Sequence, residues 1–155
     1  MSIEKDDPGV IAPPPLIFLS GLLVGGFVSW FFPVEFLPKT LAVIAGILLI
    51  NAGLTIILTA IVQMRRANTN VEPWKPTTAI LNKGLYAVSR NPIYLAMVLI
   101  YLGIAFLFNS FWFLPPLVLV LLTIHFGVIL REEKYLMRKF GSEYLNYKTG
   151  VRRWI

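Results

Sequence analysis

The chain has 155 residues, of which 57% are hydrophobic and only 14% charged. A soluble domain carries roughly 25% charged residues, and here several apolar runs approach the about 17–25 residues needed to cross a bilayer, so the sequence reads as an all-α polytopic membrane protein. It has no cysteine and a single histidine, His125, which excludes disulfides, thiolate metal sites and cysteine nucleophiles and leaves no metal cluster to build.

Residues 1–15 hold three acids before ending in Ala-Pro-Pro-Pro. That is a stiff lead-in to a membrane helix, unlike the basic start of a secretory signal. The first apolar segment is predicted over about 16–32. Gly21, Gly25 and Gly26 give it a small-residue face for close helix approach. Trp30, Phe31 and Phe32 form an aromatic edge suited to the interface. After a turn at Pro33 to Pro38, a second segment is predicted over about 41–64. It contains Asn51, expected to hydrogen-bond to another helix.

Residues 65–91 form a long polar loop with Pro73, Trp74 and Pro76. Thr77 or Thr78 is expected to cap a short helix through Leu81, which Gly84 ends. A third segment, about 92–108, starts at Pro92, where a proline costs least, with Asn91 as its cap. Asn109 and Ser110 make a tight uncharged turn. The fourth segment, about 112–130, carries Pro115 and Pro116 in its first turns and His125 within it, expected to bond inside the bundle. From Arg131 the tail is amphipathic, with Leu136 and Phe140 on one face. Gly141 breaks it before a second short helix over 143–147, and Trp154 and Ile155 form an apolar tip.

The net charge of +6 is concentrated in two places. The 65–91 loop has five basic residues and the tail from Arg131 has seven, whereas the 33–40 turn has only Lys39 and the 109–111 turn none. Membrane topology accounts for this better than nucleic acid does. Four spans place the N-terminus, the long loop and the tail together, on the cytoplasmic side by the positive-inside rule. The chain is expected to be a single membrane domain.

Two polar clusters therefore face one compartment. The stretch Gly84 to Tyr94 is Gly-Leu-Tyr-Ala-Val-Ser-Arg-Asn-Pro-Ile-Tyr, and Arg131-Glu132-Glu133 closes the fourth segment. The two are expected to meet and hold a cofactor. One carboxylate would accept bonds from hydroxyls or an amino group, or face a cation. The plainer alternatives are surface pairs of the two glutamates with Arg131, Lys134 or Arg138, head-group anchoring by Arg90, and interfacial roles for Tyr86 and Tyr94.

Residues 65–155 resemble the core of the isoprenylcysteine carboxyl methyltransferase and phospholipid methyltransferase family of membrane enzymes. The resemblance rests on an ordered set of residues. Arg66-Ala67-x-Thr69 with Pro73 comes first, then Leu81-x-x-Gly84-Leu85-Tyr86 and Ser89-Arg90-Asn91-Pro92-Ile93-Tyr94 with Gly103. Arg131-Glu132-Glu133, Phe140-Gly141-x-x-Tyr144-x-x-Tyr147 and Val151-Arg152-Arg153-Trp154 complete it. The resemblance implies binding of S-adenosylmethionine without a Rossmann domain, between the cytoplasmic ends of the last spans and the tail. Carried over, it assigns Thr78, Ala79, Ile80, Leu81, Tyr86, Asn91, Pro92, Ile93, Tyr94, Glu132 and Glu133 to the cofactor. It assigns Arg90, Asn91 and Glu132 to catalysis. The lack of a G-x-G-x-x-G loop agrees, since this cofactor has no phosphate.

Two positions depart from the family pattern. Many members have histidine where this chain has Asn91, so a titrating base is lost there. Eukaryotic carboxyl methyltransferases have arginine where this chain has Val128, which weakens the case for an isoprenylcysteine carboxylate as the acceptor; a lipid head group is the other acceptor expected. The acceptor is expected to be lipophilic in either case and to enter from the bilayer. The competing readings are a membrane NADPH-dependent reductase of the sterol reductase type and a non-catalytic helical scaffold.

Overall fold

The computed structural model describes residues 6–155, and the mixed-charge start of the chain, 1–5, lies outside the described residues. The described chain is all-α. Helix α1 spans Pro14–Phe31 and α2 spans Lys39–Arg66. Helix α3 spans Pro92–Leu107, and α4 spans Leu114–Ile124. A π-helical turn at His125–Ile129 joins α4 to α5, Leu130–Phe140, and α6 covers Ser142–Gly150. Among the described residues, three helical stretches are long and apolar enough to cross a membrane: α1, α2 and the continuous run Phe111–Phe140; α3 is a shorter apolar helix.

The prolines behave differently from the lead-in expected of them. Pro14 and Pro15 are the first two residues of α1 itself. The first helical N–H groups have no intrahelical acceptor, so prolines cost little there. The glycines of α1 let it sit against the fourth segment. A Cβ on Gly25 would fall 2.9 Å from the Phe113 backbone. The small-residue face is thus spent inside the molecule. Beside it, Tyr101 is fully buried, and its hydroxyl donates to Phe113 O at 2.9 Å. Ile124, Val128 and Ile129 complete this core.

Helices α2 and α3 pack just as closely. A Cβ on Gly53 would lie 2.8 Å from Ala96 O. Asn51, in contrast, faces outward, and its Nδ2 donates to Ile47 O of its own helix at 2.8 Å. The expected bond to a second helix is therefore absent among the described residues, because the helix turns its glycine face to α3 and Asn51 away from it. At the end away from the polar clusters, Asn109 stitches two turns together. Its Nδ2 donates to Leu37 O (2.8 Å) and its Oδ1 accepts from Leu37 N–H (3.2 Å).

The greatest departures from expectation lie between 65–91 and after Ile129. No helix forms over 77–81. Thr78 is tied instead to the end of α2, its N–H donating to Thr69 Oγ1 (3.0 Å) and its hydroxyl to Asn68 O (2.6 Å). Gly84 begins a short 3-10 turn, Gly84–Ala87, rather than ending a helix. Its φ of +61° is one that glycine adopts without strain, and Gln63 of α2 fills the space a side chain would need. The fourth segment does not stop at residue 130. It runs on to Phe140, where Gly141 at φ +53° breaks it. Glu132 and Glu133 therefore sit within a continuous helix and do not oppose a helix C-terminus. The His125 side chain makes no hydrogen bond among the described residues. Its ring packs edge-on against Phe126 and borders an outer groove with Leu95, Val98 and Trp154.

Candidate functional site

A cavity of about 380 Å³ opens where the ends of α2, α3 and α5, the 71–81 loop and the tail converge. The π-helical turn sets which side of the last long helix faces it, because the extra residue in such a turn rotates the helix beyond it. Val128 is fully buried in the core, whereas Ile129, Glu132, Glu133 and Leu136 line the cavity. Val128 thus fills a packing position away from the cavity wall.

Of the residues singled out by sequence, Ala79, Ile80, Leu81, Tyr86, Arg90, Asn91, Pro92, Ile93, Tyr94, Glu132 and Glu133 all border this space. Thr78 does not, since its polar groups are committed to Asn68 and Thr69. Residues 77–81 are not helical, and Thr78 is drawn back toward the end of α2 while Ala79, Ile80 and Leu81 border the cavity. Sequence reasoning missed other lining residues, among them Trp74, Tyr135, Tyr144 and Tyr147. The two tyrosines of α6 stood in the Phe140-Gly141-x-x-Tyr144-x-x-Tyr147 motif, where their three-residue spacing marks one helix face.

The two glutamates have different surroundings. Glu133 is 7% exposed and is held by three cations. Arg153 donates to it from Nε (2.7 Å) and Nη2 (3.0 Å), Arg90 Nη1 lies at 3.2 Å and Lys148 Nζ at 3.3 Å. These partners come from α3's approach, α6 and the C-terminal strand of chain, so Glu133 ties the tail to the rest of the molecule. None is among the surface partners expected from sequence. Glu132 accepts one hydrogen bond, from the Tyr94 hydroxyl at 2.8 Å, and pairs with no cation among the described residues.

Arg90 and Asn91 belong to the same tie. Arg90 N–H donates to Arg152 O at 3.0 Å. Asn91 occupies the expected cap position of α3, but its side chain does not cap. Its Nδ2 donates to Arg153 O at 2.9 Å, holding the tail in place. The Tyr147 hydroxyl donates to Tyr86 O at 2.7 Å. Burial pushes the Tyr86 and Tyr147 hydroxyls up from their ordinary range, so both remain protonated donors at neutral pH.

The N-terminal segment closes one side. Ile11 N–H donates to Gly127 O within the π-helical turn (3.2 Å), and Arg131 Nη1 donates to Gly9 O (2.8 Å). Asp6 accepts from the Tyr135 hydroxyl (2.7 Å) and from Lys139 Nζ (2.7 Å). Pro8, Pro14 and Pro15 consequently border the cavity. Its walls are thus of two kinds. One is polar and aromatic, with Glu132 and tyrosine hydroxyls. The other is apolar, with Ile57 and Ile61 of α2 and Met97 of α3.

The profile of the phospholipid methyltransferase family matches residues 41–143. The chain belongs to that family. The matched stretch takes in α2, α3, the long loop, the last long helix and the start of α6, and with them most of the cavity wall. At the level of the family, phospholipid methyltransferase membership places the chain among membrane methyltransferases that use S-adenosylmethionine. An uncharacterised protein of Haemophilus influenzae is 44% identical over 64 residues, which span 41% of this chain and 100% of that protein. No solved structure matches.

Proposed function

We propose that this protein is an S-adenosylmethionine-dependent methyltransferase acting on a lipophilic, membrane-embedded acceptor, and that the cavity between α2, α3, α5 and the tail holds both reactants. We read it as one membrane domain of four spans with α3 as the shorter fourth, and with the long loop, the strap at 6–13 and the tail on the cytoplasmic side. The clustering of basic residues in the loop and tail supports that orientation.

The observation that carries the reading is the pairing of Glu132 with its surroundings. A carboxyl group with no cationic partner among the described residues borders a cavity rich in aromatic rings. Such a site suits a ligand that is itself cationic and carries a flat ring and hydroxyls. The volume of about 380 Å³ lies in the range of small-molecule sites. The residues present therefore fit S-adenosylmethionine. Glu132, Tyr86, Tyr94 and the non-helical Ala79-Ile80-Leu81 would hold it, beside Asn91, Pro92 and Ile93. When bound, this cofactor supplies an activated methyl group on a sulfonium.

The chain's own contribution is alignment and exclusion of water. Glu132 is the carboxyl group facing the reacting region, oriented by the Tyr94 hydroxyl. Arg90 and Asn91 border the cavity and act as positioning residues, since they tie the 152–153 backbone to the start of α3. Asparagine at 91 does not titrate, so no base is supplied there. A carboxylate acceptor needs no base, whereas an amine must arrive deprotonated or lose its proton to Glu132. The apolar wall of Ile57, Ile61 and Met97 gives the acceptor's chain a path from the bilayer. The test is transfer of labelled methyl from S-adenosylmethionine into a membrane lipid extract by the purified protein. Label in an extractable lipid, abolished by Glu132→Gln, is expected. Label in no lipid, from a protein that binds the cofactor, contradicts a lipophilic acceptor.

A further inference from the structure

The outward face of α2 has a composition that lipid contact does not explain. Leu41, Ile44, Leu48, Asn51, Thr55, Leu58 and Val62 are spaced alternately three and four residues apart, and all are exposed. At about 100° per residue they form one stripe. It lies on the opposite side of the helix from Ala42, Gly46, Gly53 and Ala60, the buried positions of α2. This is the repeat of a coiled-coil seam. Asn51 stands about midway along the helix Lys39–Arg66, which places its amide near the bilayer centre. One amide hydrogen goes to Ile47 O, and Oδ1 accepts from no described residue. Hydrocarbon offers that group nothing.

The small-residue surfaces that bring membrane helices together are already in use. Gly25 packs on Phe113, and Gly53 on Ala96 and Ile100. The α2 seam is the surface that remains. Two copies inserted the same way are related by an axis along the membrane normal, so α2 meets α2 in parallel and each residue meets itself at the same depth. Asn51 then faces Asn51, and each amide has a free donor and a free acceptor for the other. Another protein would need a matching polar group at that depth; a second copy has one by construction. A single polar position in an otherwise apolar seam is also the device that fixes register and a two-stranded state.

We propose that the protein forms a parallel homodimer through the α2 seam, with Asn51 bonded to its counterpart across the axis. The chain has no cysteine, so single-thiol variants of the full-length protein report proximity cleanly. In liposomes, oxidation is expected to cross-link Ile44→Cys, Leu48→Cys and Thr55→Cys. The equally lipid-exposed controls Leu23→Cys on α1 and Leu119→Cys on α4 are expected to stay monomeric. Asn51→Leu, which retains helix propensity and fits the bilayer, is expected to weaken dimerisation about three- to twenty-fold, measured by energy transfer between labelled copies as protein is diluted with lipid. Cross-linking no better at the seam than at positions 23 and 119 overturns the proposal. So does a protein that is monomeric throughout the dilution series, or one whose dimerisation is unchanged by Asn51→Leu.

Discussion

Adjacent glutamates in this chain have different partners, and single substitutions separate them. Glu133 neutralises Arg90 and Arg153 in a mostly buried setting. Glu133→Gln leaves those cations without a counter-charge and is expected to cost about 3 kcal/mol, seen as a clear fall in melting temperature in detergent. Among the described residues Glu132 has only the Tyr94 hydroxyl as partner. Glu132→Gln preserves an acceptor for that hydroxyl and is expected to change stability by under about 1 kcal/mol. Equal destabilisation by the two would contradict this division. Sequence placed both residues beside the Gly84–Tyr94 stretch but could not distinguish them, since the partners of Glu133 lie 43 positions earlier and 20 later. Asn91 was legible as a position and not as a contact. It stands at the start of α3 as expected, yet its amide goes to the tail, a choice set by where residues 152–153 pass.

At the scale of elements, hydropathy located the apolar segments to within a few residues, because burial and lipid contact impose the same pattern over a whole helix. It could not say where the last helix ends. Arg131, Glu132 and Glu133 look like a span terminus, yet the helix continues nine residues beyond Arg131 to Phe140. The close contact of α2 and α3 gives a direct test. Gly53→Val would press a side chain against Ala96 O and Ile100, and is expected to destabilise by about 1–3 kcal/mol. Gly150→Ala, with nothing within 4 Å of the added carbon, serves as the benign comparison in the same thermal assay.

The strap at 6–13 carries a pH-dependent clasp. Asp6's carboxyl is held below the ordinary carboxylate range, first by the hydrogen bond from Lys139 and then by that from Tyr135. A carboxyl depressed in the folded state favours the closed strap above the ordinary carboxylate range, about pH 4, and loses that contribution as pH falls through the depressed value. A spin label at position 8 is expected to be immobile at pH 6 and to loosen on acidification below about pH 4. In Asp6→Asn it is expected to be loose at both. Immobility in Asp6→Asn at pH 6 would show that the bonds of Ile11 and Arg131 hold the strap by themselves.

For the whole molecule, the central claim is that helix ends, loop and tail form one cofactor site without a phosphate-binding loop. Family membership, the cavity and the cation-free carboxylate converge on it from different directions. The most direct measurement is calorimetric titration of the purified protein in detergent with S-adenosylmethionine and, separately, with NADPH, alongside Glu132→Gln. Saturable binding of S-adenosylmethionine, weakened at least tenfold in Glu132→Gln at unchanged melting temperature, and no binding of NADPH, is the predicted result. Binding of NADPH alone, or S-adenosylmethionine binding indifferent to Glu132, would contradict the account.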